Sequence, residues 1–483
     1  MNNAPYAELL VALRPELCLV VGALAVLTVD IATRSADATR RLGTATALGA
    51  LAILAALIVT LAGGQAGPLC GGVLELDLLA QVGRAGALGL ALLTLGVVSG
   101  GPRLRHPAEF VAVLLFATAG FTLMAAARQL LVAFVAIELA SLSLYVLAGF
   151  EKSRPASAEA GLKYFLVGGM SAAFMLFGFS LLYGLTGSIE LPVIALQLQT
   201  APGNSPLLLV ALGMVLVGFG FKAAAAPFHL WAPDVYEGAP APAAALVASA
   251  SKLAGLVVFF RLLWPGLGAA AGDLAGTPGW TPIVALMALG SLLVGNFGAL
   301  AQTKTRRLLA YSAIAHAGAM LLGMIAAGAT GPGMLVYYGL TYGLATVGAF
   351  GVVAVIERAG VGPELRDLAG LRTRSPFLAA CLAIFVLSLA GIPPLAGFVA
   401  KFVVFSAAFK LGGTSAALAG LAILLGAVAL YYYLQILKPA LVTPGVGDVT
   451  PIPTPLATRL VLALAAVAIF VLGCAPSLMP GGF

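Results

Sequence analysis

Five side chains draw attention by type and position: Glu138, Lys222, Lys252, His316 and Lys401 each lie inside a run that is otherwise apolar. A charge at bilayer depth costs about 2.5–3.5 kcal/mol on insertion scales, so such groups mark ion or proton paths by default. Glu138, the one carboxylate of RQLLVAFVAIELASLSLYVLAGF, must either pair with a cation or take a proton. Lys222 is its candidate partner, in GFGFKAAAAPFHLWAPD. That stretch places the lysine about two turns inside an apolar helix, with Pro227 one turn beyond it. A proline there removes a backbone donor at a cost of roughly 3 kcal/mol, and in a membrane neighbours must satisfy the freed carbonyls. Moving a carboxylate toward or away from such an amine, or wetting the site, changes whether the amine holds its proton. The pair is a usable proton switch.

Lys252 sits in ALVASASKLAGLVVFF beside Ser249 and Ser251, where small side chains leave room for proton-carrying waters. His316, in LLAYSAIAHAGAMLLG, has two readings, a relay or a satisfied core group. Lys163, in AGLKYFLVGG, is expected within one turn of its helix start, as a snorkelling anchor or a relay. His229 stands at the mouth of its helix or anchors the interface beside Trp231. Tyr431, Tyr432 and Tyr433 read as packing or interface aromatics. There is no phosphate loop, dinucleotide fingerprint, divalent-metal carboxylate cluster or Ser/His/Asp arrangement, and four cysteines without a CxxC pair make metal, iron-sulfur and disulfide sites poor readings. What remains is proton transfer.

Composition supplies the setting for these groups. The 483 residues are 61% hydrophobic and 9% charged, with a mean hydropathy of +1.08. Soluble domains carry about 25% charged residues; this is an integral, all-α polytopic membrane protein. The 59 glycines suit close helix packing in lipid. At about 20 apolar residues per crossing, fourteen spans are expected: 15–33, 42–62, 79–99, 108–126, 130–150, 160–184, 206–229, 241–263, 281–301, 307–327, 332–357, 376–408, 416–438 and 456–475. The start has no basic region before its apolar run, so the first span is expected to be retained rather than cleaved.

Bases cluster in alternate loops: Arg34, Arg40 and Arg41; Arg103 and Arg105; Lys152 and Arg154; Lys304, Arg306 and Arg307; and Arg358, Arg366, Arg372 and Arg374. This bias places those loops in the cytoplasm and both termini on the other side, and it accounts for the net charge of +7 without nucleic acid. The loop WAPDVYEGAPAP is the exception, acidic on the basic side. Glu138 and His316 are 178 residues apart and Lys222 and Lys401 are 179 apart. Lys222 precedes a proline break, and Lys401 follows another, SLAGIPPLAGF. Five spans separate each pair, and an odd number inverts the chain direction. Two inverted five-helix repeats follow, each with one broken helix, as in transporters whose half-helices meet at a midplane site. The expected units are 1–107, with three helices; 108–264 and 281–438, the two repeats; and 456–483, a final helix.

The segments IELASLSLYVLAGF, EAGLKYFLVGGMSAAFMLFG, KAAAAPFHLWAPDVYEGAP, TKTRRLLAYSAIAHAG, and DLAGL followed by SLAGIPPLAGFVAKF resemble the antiporter-like membrane subunits of respiratory complex I, NADH:quinone oxidoreductase. The likeness runs over nearly the whole chain. Length, the opening LRPELCLVVGALAVLTVD, lysine at 252 and 401 where other branches have histidine and glutamate, and no long C-terminal lateral helix point to one branch of that family. The resemblance implies a proton half-channel series in which Glu138 pairs with Lys222, Lys252 links the halves and Lys401 communicates with the outer side, with His316 at a linker position. It also implies a bacterial inner membrane and no cofactor in this chain. NADH, FMN, iron-sulfur clusters and quinone are expected in partner subunits. Partners would be a neighbouring antiporter-like subunit, small helical subunits, a peripheral redox arm and the bilayer. Arg128, ahead of span 5, departs from the acidic or neutral residue expected there. The alternative class is a cation/proton antiporter subunit or a related membrane redox complex, distinguished by sodium dependence and absence of redox partners.

Overall fold

The computed structural model describes residues 4–33, 37–63, 67–102, 104–200, 205–445 and 450–479; Arg34, Arg103 and residues 480–483 of the final unit lie outside them. The crossings, labelled in chain order, are α1 Arg14–Ala32, α2 Ala38–Ala62, α3 Leu78–Val98, α4 Pro107–Ala126, α5 Leu130–Ala148, α6 Pro155–Thr186 and α7 Pro206–Ala223. They continue with α8, in two pieces Ala241–Ala248 and Ala250–Arg261, then α9 Trp280–Leu300, α10 Thr305–Thr330 and α11 Gly333–Arg358. Last come α12, as half-helices Pro376–Ala390 and Ala396–Lys410, α13 Gly413–Leu441 and α14 Leu456–Cys474. Thirteen of these are long and apolar enough to cross a membrane unaided, and the two halves of α12 make the fourteenth. Short helices Leu191–Thr200 and Trp231–Gly238 and a small hairpin pairing Gly67–Leu69 with Leu74–Leu76 lie between crossings.

Two expectations about the breaks change. The seventh helix was expected to run through 229, with Lys222 two turns inside; it stops at Ala223, so Lys222 lies in its last turn and Pro227 lies outside any helix. Ala224 turns to φ 56°, a left-handed cap that returns its N–H to Phe221 and that of Ala225 to Gly220. Span 8 is also interrupted, at Ser249 (φ −113°, ψ −88°), where no glycine or proline warned of it. The Ser249 hydroxyl donates to Ala245 O at 2.6 Å.

In the two expected repeats, α4–α8 and α9–α13, corresponding helices pack alike: α4 on α5 and α9 on α10, α6 on α7 and α11 on α12. The α9–α10 contact depends on a missing side chain, since a Cβ on Gly295 would come within 2.3 Å of the Ala315 backbone nitrogen. The segment α1–α3 packs on α4, and α3 reaches both α8 and α11. Its buried charges are paired, Glu16 with Arg84 at 3.0 Å and Asp30 with Arg41 at 2.6 Å, and the partly exposed Asp77 takes the buried Arg261 of α8. Arg128, the departure noted above, pairs with Glu75 of the hairpin at 3.0 Å. Basic loops share one end of the bundle: Arg358 reaches Ser99 O beyond α3, and Lys304 reaches Glu237 beyond α7.

Burial is graded across the bundle. In α8, α10 and α11 the apolar windows are 94% buried, against 33% in α2, α6 and α13. The central three helices are therefore where polar groups can meet away from lipid.

Candidate functional site

α5 carries Glu138 on a face it shares with exposed Val135 and Leu142, and the carboxylate is itself half-buried. Lys222, 5% exposed, donates from Nζ to Ser141 Oγ at 3.2 Å. Ser141 lies one turn along α5 from Glu138, so the expected pairing is indirect: the carboxylate stands within electrostatic reach of the amine without a direct ion pair. The last turn of α7 delivers Lys222 there, and its Phe221 O accepts from Trp231 Nε1 at 3.2 Å in addition to the capping Ala224 N–H.

Lys222 and Lys252 line one apolar cavity of about 10 Å³, with Gly255, Phe259 and Met320 among its walls. That is about the least volume that holds one water. Lys252 is buried at 4% exposure; Nζ donates to Ala313 O at 2.5 Å and lies 5.1 Å from the centre of the Tyr342 ring. A broken α8 puts its lysine beside α10 and α11 rather than toward lipid.

One turn along α10 from Ala313, His316 Nδ1 lies 2.9 Å from the Tyr338 hydroxyl and Nε2 lies 3.1 Å from the Tyr433 hydroxyl. Tyr433 continues to Ser312 Oγ at 2.5 Å. Relay and core readings of His316 thus coexist: it is buried, and both ring nitrogens are engaged. A neutral imidazole has one N–H, so one tyrosine donates to the ring while the other accepts, and the tautomer sets the direction of the chain. Tyr338, Tyr433, Ser312 and Ser141 were missed in the sequence. Of the tyrosine triplet, Tyr431 is 61% exposed as an interface aromatic, whereas Tyr432 and Tyr433 are buried and hydrogen-bonded, Tyr432 donating to Asn296 Oδ1 at 3.3 Å.

Lys401 stands in the second half of α12, and its Nζ donates to Leu389 O and Ala390 O of the first half, both at 2.9 Å. It caps carbonyls that a helix end leaves without partners. Lys401 and His316 share a cavity of about 450 Å³ whose rim includes exposed Phe398, Phe402 and Ile423. The remaining two candidates stand apart. Lys163 is more than two turns into α6, which starts at Pro155, and is bound by Asp234 and Glu159, each at 2.6 Å. His229 lies in the break after α7, with Nδ1 buried and unpartnered. Among the described residues no group of three or more His, Cys, Asp or Glu is placed to hold a metal.

A line of buried amines, hydroxyls and an imidazole through two repeats with broken helices defines an antiporter-like membrane subunit. The family model described as NADH:quinone oxidoreductase/Mrp antiporter, TM, matches residues 127–426. The NADH-quinone oxidoreductase subunit N 2 of Acidobacterium capsulatum is 46% identical over 99% of both chains. Subunit N of Trichlorobacter lovleyi is 39% identical over 81% of this chain and 79% of its own. A chain of respiratory complex I from Thermus thermophilus with bound aureothin superposes with a TM-score of 0.80 at 35% identity, covering 96% of this chain and 98% of that one. A chain of the Mrp complex from Dietzia sp. gives 0.80 at 22% over 96% and 95%, a likeness of fold alone. The chain belongs to the subunit N family of NADH-quinone oxidoreductases, the antiporter-like, proton-translocating membrane subunits of that complex.

Proposed function

We propose that protons cross this subunit by way of Glu138, Lys222, Lys252, the His316 hydroxyl network and Lys401. The observation that carries the reading is continuity. Lys222 and Lys252 share one cavity, Lys252 is bonded to α10 one turn from His316, and His316 and Lys401 share another. The cavity between the first two amines, with apolar walls and room for about one water, supports a gate: wetting it connects them, and drying it separates them. Separating Glu138 from Lys222 weakens the hold on the Lys222 proton, which then passes toward Lys252. Beyond Lys252 the proton enters the tyrosine–histidine chain, which hands it on by changing the His316 tautomer, and a ring or hydroxyl rotation resets it.

The exposed stripe around Glu138 supports a neighbouring membrane subunit bringing the coupling signal there. NADH, FMN, iron-sulfur clusters and quinone belong in this reading to partner subunits and a peripheral redox arm. Residues 108–264 and 281–438 are the two working halves, in a bacterial inner membrane with both termini outside the cytoplasm, as the basic loops favour. Moving a charge against 100 mV takes about 2.3 kcal/mol, and a lysine pKa change of two units supplies about 2.7 kcal/mol. Lys252→Ala in the assembled complex tests the route. Proton uptake per NADH oxidised should fall in inverted vesicles, and uptake at the normal ratio would remove Lys252 from the path.

A further inference from the structure

The acidic loop that broke the charge pattern is fully engaged. On the short helix Trp231–Gly238, Asp234 accepts from Lys163 of α6 at 2.6 Å and from Arg307 of α10 at 2.8 Å. Glu237 accepts from Arg307 at 3.0 Å and from Lys304 at 2.6 Å. One short helix of the first repeat is thereby tied to the start of α10 in the second repeat and to its own α6. Nearby, the Arg306 guanidinium donates to Ala239 O, and Ser291 Oγ of α9 accepts from Ala226 N at 2.8 Å. Partly exposed ion pairs contribute little each unless they form a network. Here two carboxylates share three cations in one network, which fixes the short helix against α6 and α10.

That geometry ends at the proton path. Trp231, 3% exposed, opens the clamped helix, lies three residues before Asp234 and stacks on Tyr164 at 4.3 Å with a 15° interplanar angle. Its indole N–H holds Phe221 O, the carbonyl immediately ahead of Lys222. We propose that Trp231, set in place by the Asp234/Glu237 ionic clamp, is a positioning residue that holds the last turn of α7 and so keeps Lys222 within reach of Ser141 and Lys252. The connection to pumping rests on Lys222 carrying protons; the holding of the helix end does not. The clamp makes the tilt of that end depend on where α10 stands, which links the two repeats mechanically.

The test uses the whole complex, with assembly checked on native gels. Trp231→Phe keeps a ring to stack and removes the N–H. Amide exchange in the last turn of α7 should speed about fivefold, the effect of losing about 1 kcal/mol of hydrogen bond, and proton uptake per NADH should fall while NADH oxidation persists. Arg307→Gln should do the same from a distance, and Arg307→Lys, which keeps a cation between Asp234 and Glu237, should restore both readouts in part. Unchanged exchange in Trp231→Phe and Arg307→Gln would overturn the proposal. So would faster exchange with a normal pumping ratio when Lys222→Ala, in parallel, abolishes pumping. If Lys222→Ala itself pumps normally, the proton-path reading fails instead, and the exchange rates alone decide whether the clamp holds the helix end.

Discussion

At the scale of single residues, this site separates groups that hold a proton from groups that pass it on. Lysines have three donors and no acceptor when charged, so two of them cannot form a wire without something between. Tyr433 is that kind of group, placed between His316 and Ser312. Tyr433→Phe keeps the ring and removes the hydroxyl. We expect normal assembly, a stability loss of about 1 kcal/mol, and at least severalfold slower NADH-driven proton uptake; uptake at the native rate in quenched-dye measurements would take Tyr433 out of the chain. The lysines and Glu138 were legible because a charge in an apolar run has few structural explanations. Tyr338 and Tyr433 were not, since a tyrosine in such a helix reads like any other aromatic until its hydroxyl finds a partner. Lys163 was misplaced because its helix starts at Pro155, five residues earlier than expected, and its partner Asp234, 71 positions away, is announced by no local pattern.

At the scale of elements, the broken helices put lysines where intact helices would put carbonyl ladders. Proline and glycine made the breaks in α7 and α12 readable, but not where α7 ends, and the Ser249 interruption left no mark of composition. The α12 break is closed tightly: a Cβ on Gly397 would lie 1.8 Å from Ser388 O, and Gly397 N donates to Ser388 Oγ at 3.2 Å. Gly397→Ala should therefore force the half-helices apart and block assembly or pumping; a well-assembled variant with native uptake would contradict this. Gly295→Ala, which presses on α10 backbone, should destabilise the α9–α10 pair by about 1–3 kcal/mol, read as a lower temperature of subunit dissociation. The clamp helix has its own pH signature. Burial alone would raise the carboxyl pKa values of Asp234 and Glu237, but hydrogen bonds from Lys163 and Arg307, and from Lys304 and Arg307, outweigh it and hold both below their usual values. A depressed folded pKa stabilises above the unfolded value of about 4 and loses its effect only as pH falls through the folded value. Amide exchange of Trp231–Gly238, corrected for intrinsic rates, should thus give unchanged protection from pH 7.5 to about 5. Loosening within that range would contradict the assignment.

At the scale of the whole molecule, α8, α10 and α11 form the buried centre, and the proposed path enters and leaves that centre through residues of α5, α7, α12 and α13. Spacing and hydropathy were enough to anticipate the crossings and the two repeats with broken helices, because both follow from what a bilayer tolerates. How the halves are joined was not readable: that depends on Lys252 reaching Ala313 O and on ion pairs spanning 67 to 73 residues. In the proposed mechanism the Lys222 amine loads the path. The most direct test is NADH-driven proton uptake in inverted membrane vesicles, comparing the native complex with fully assembled Lys222→Ala. Uptake per NADH should be lost or sharply lowered in the variant, whether or not NADH oxidation also slows. Uptake at the native ratio would contradict the mechanism.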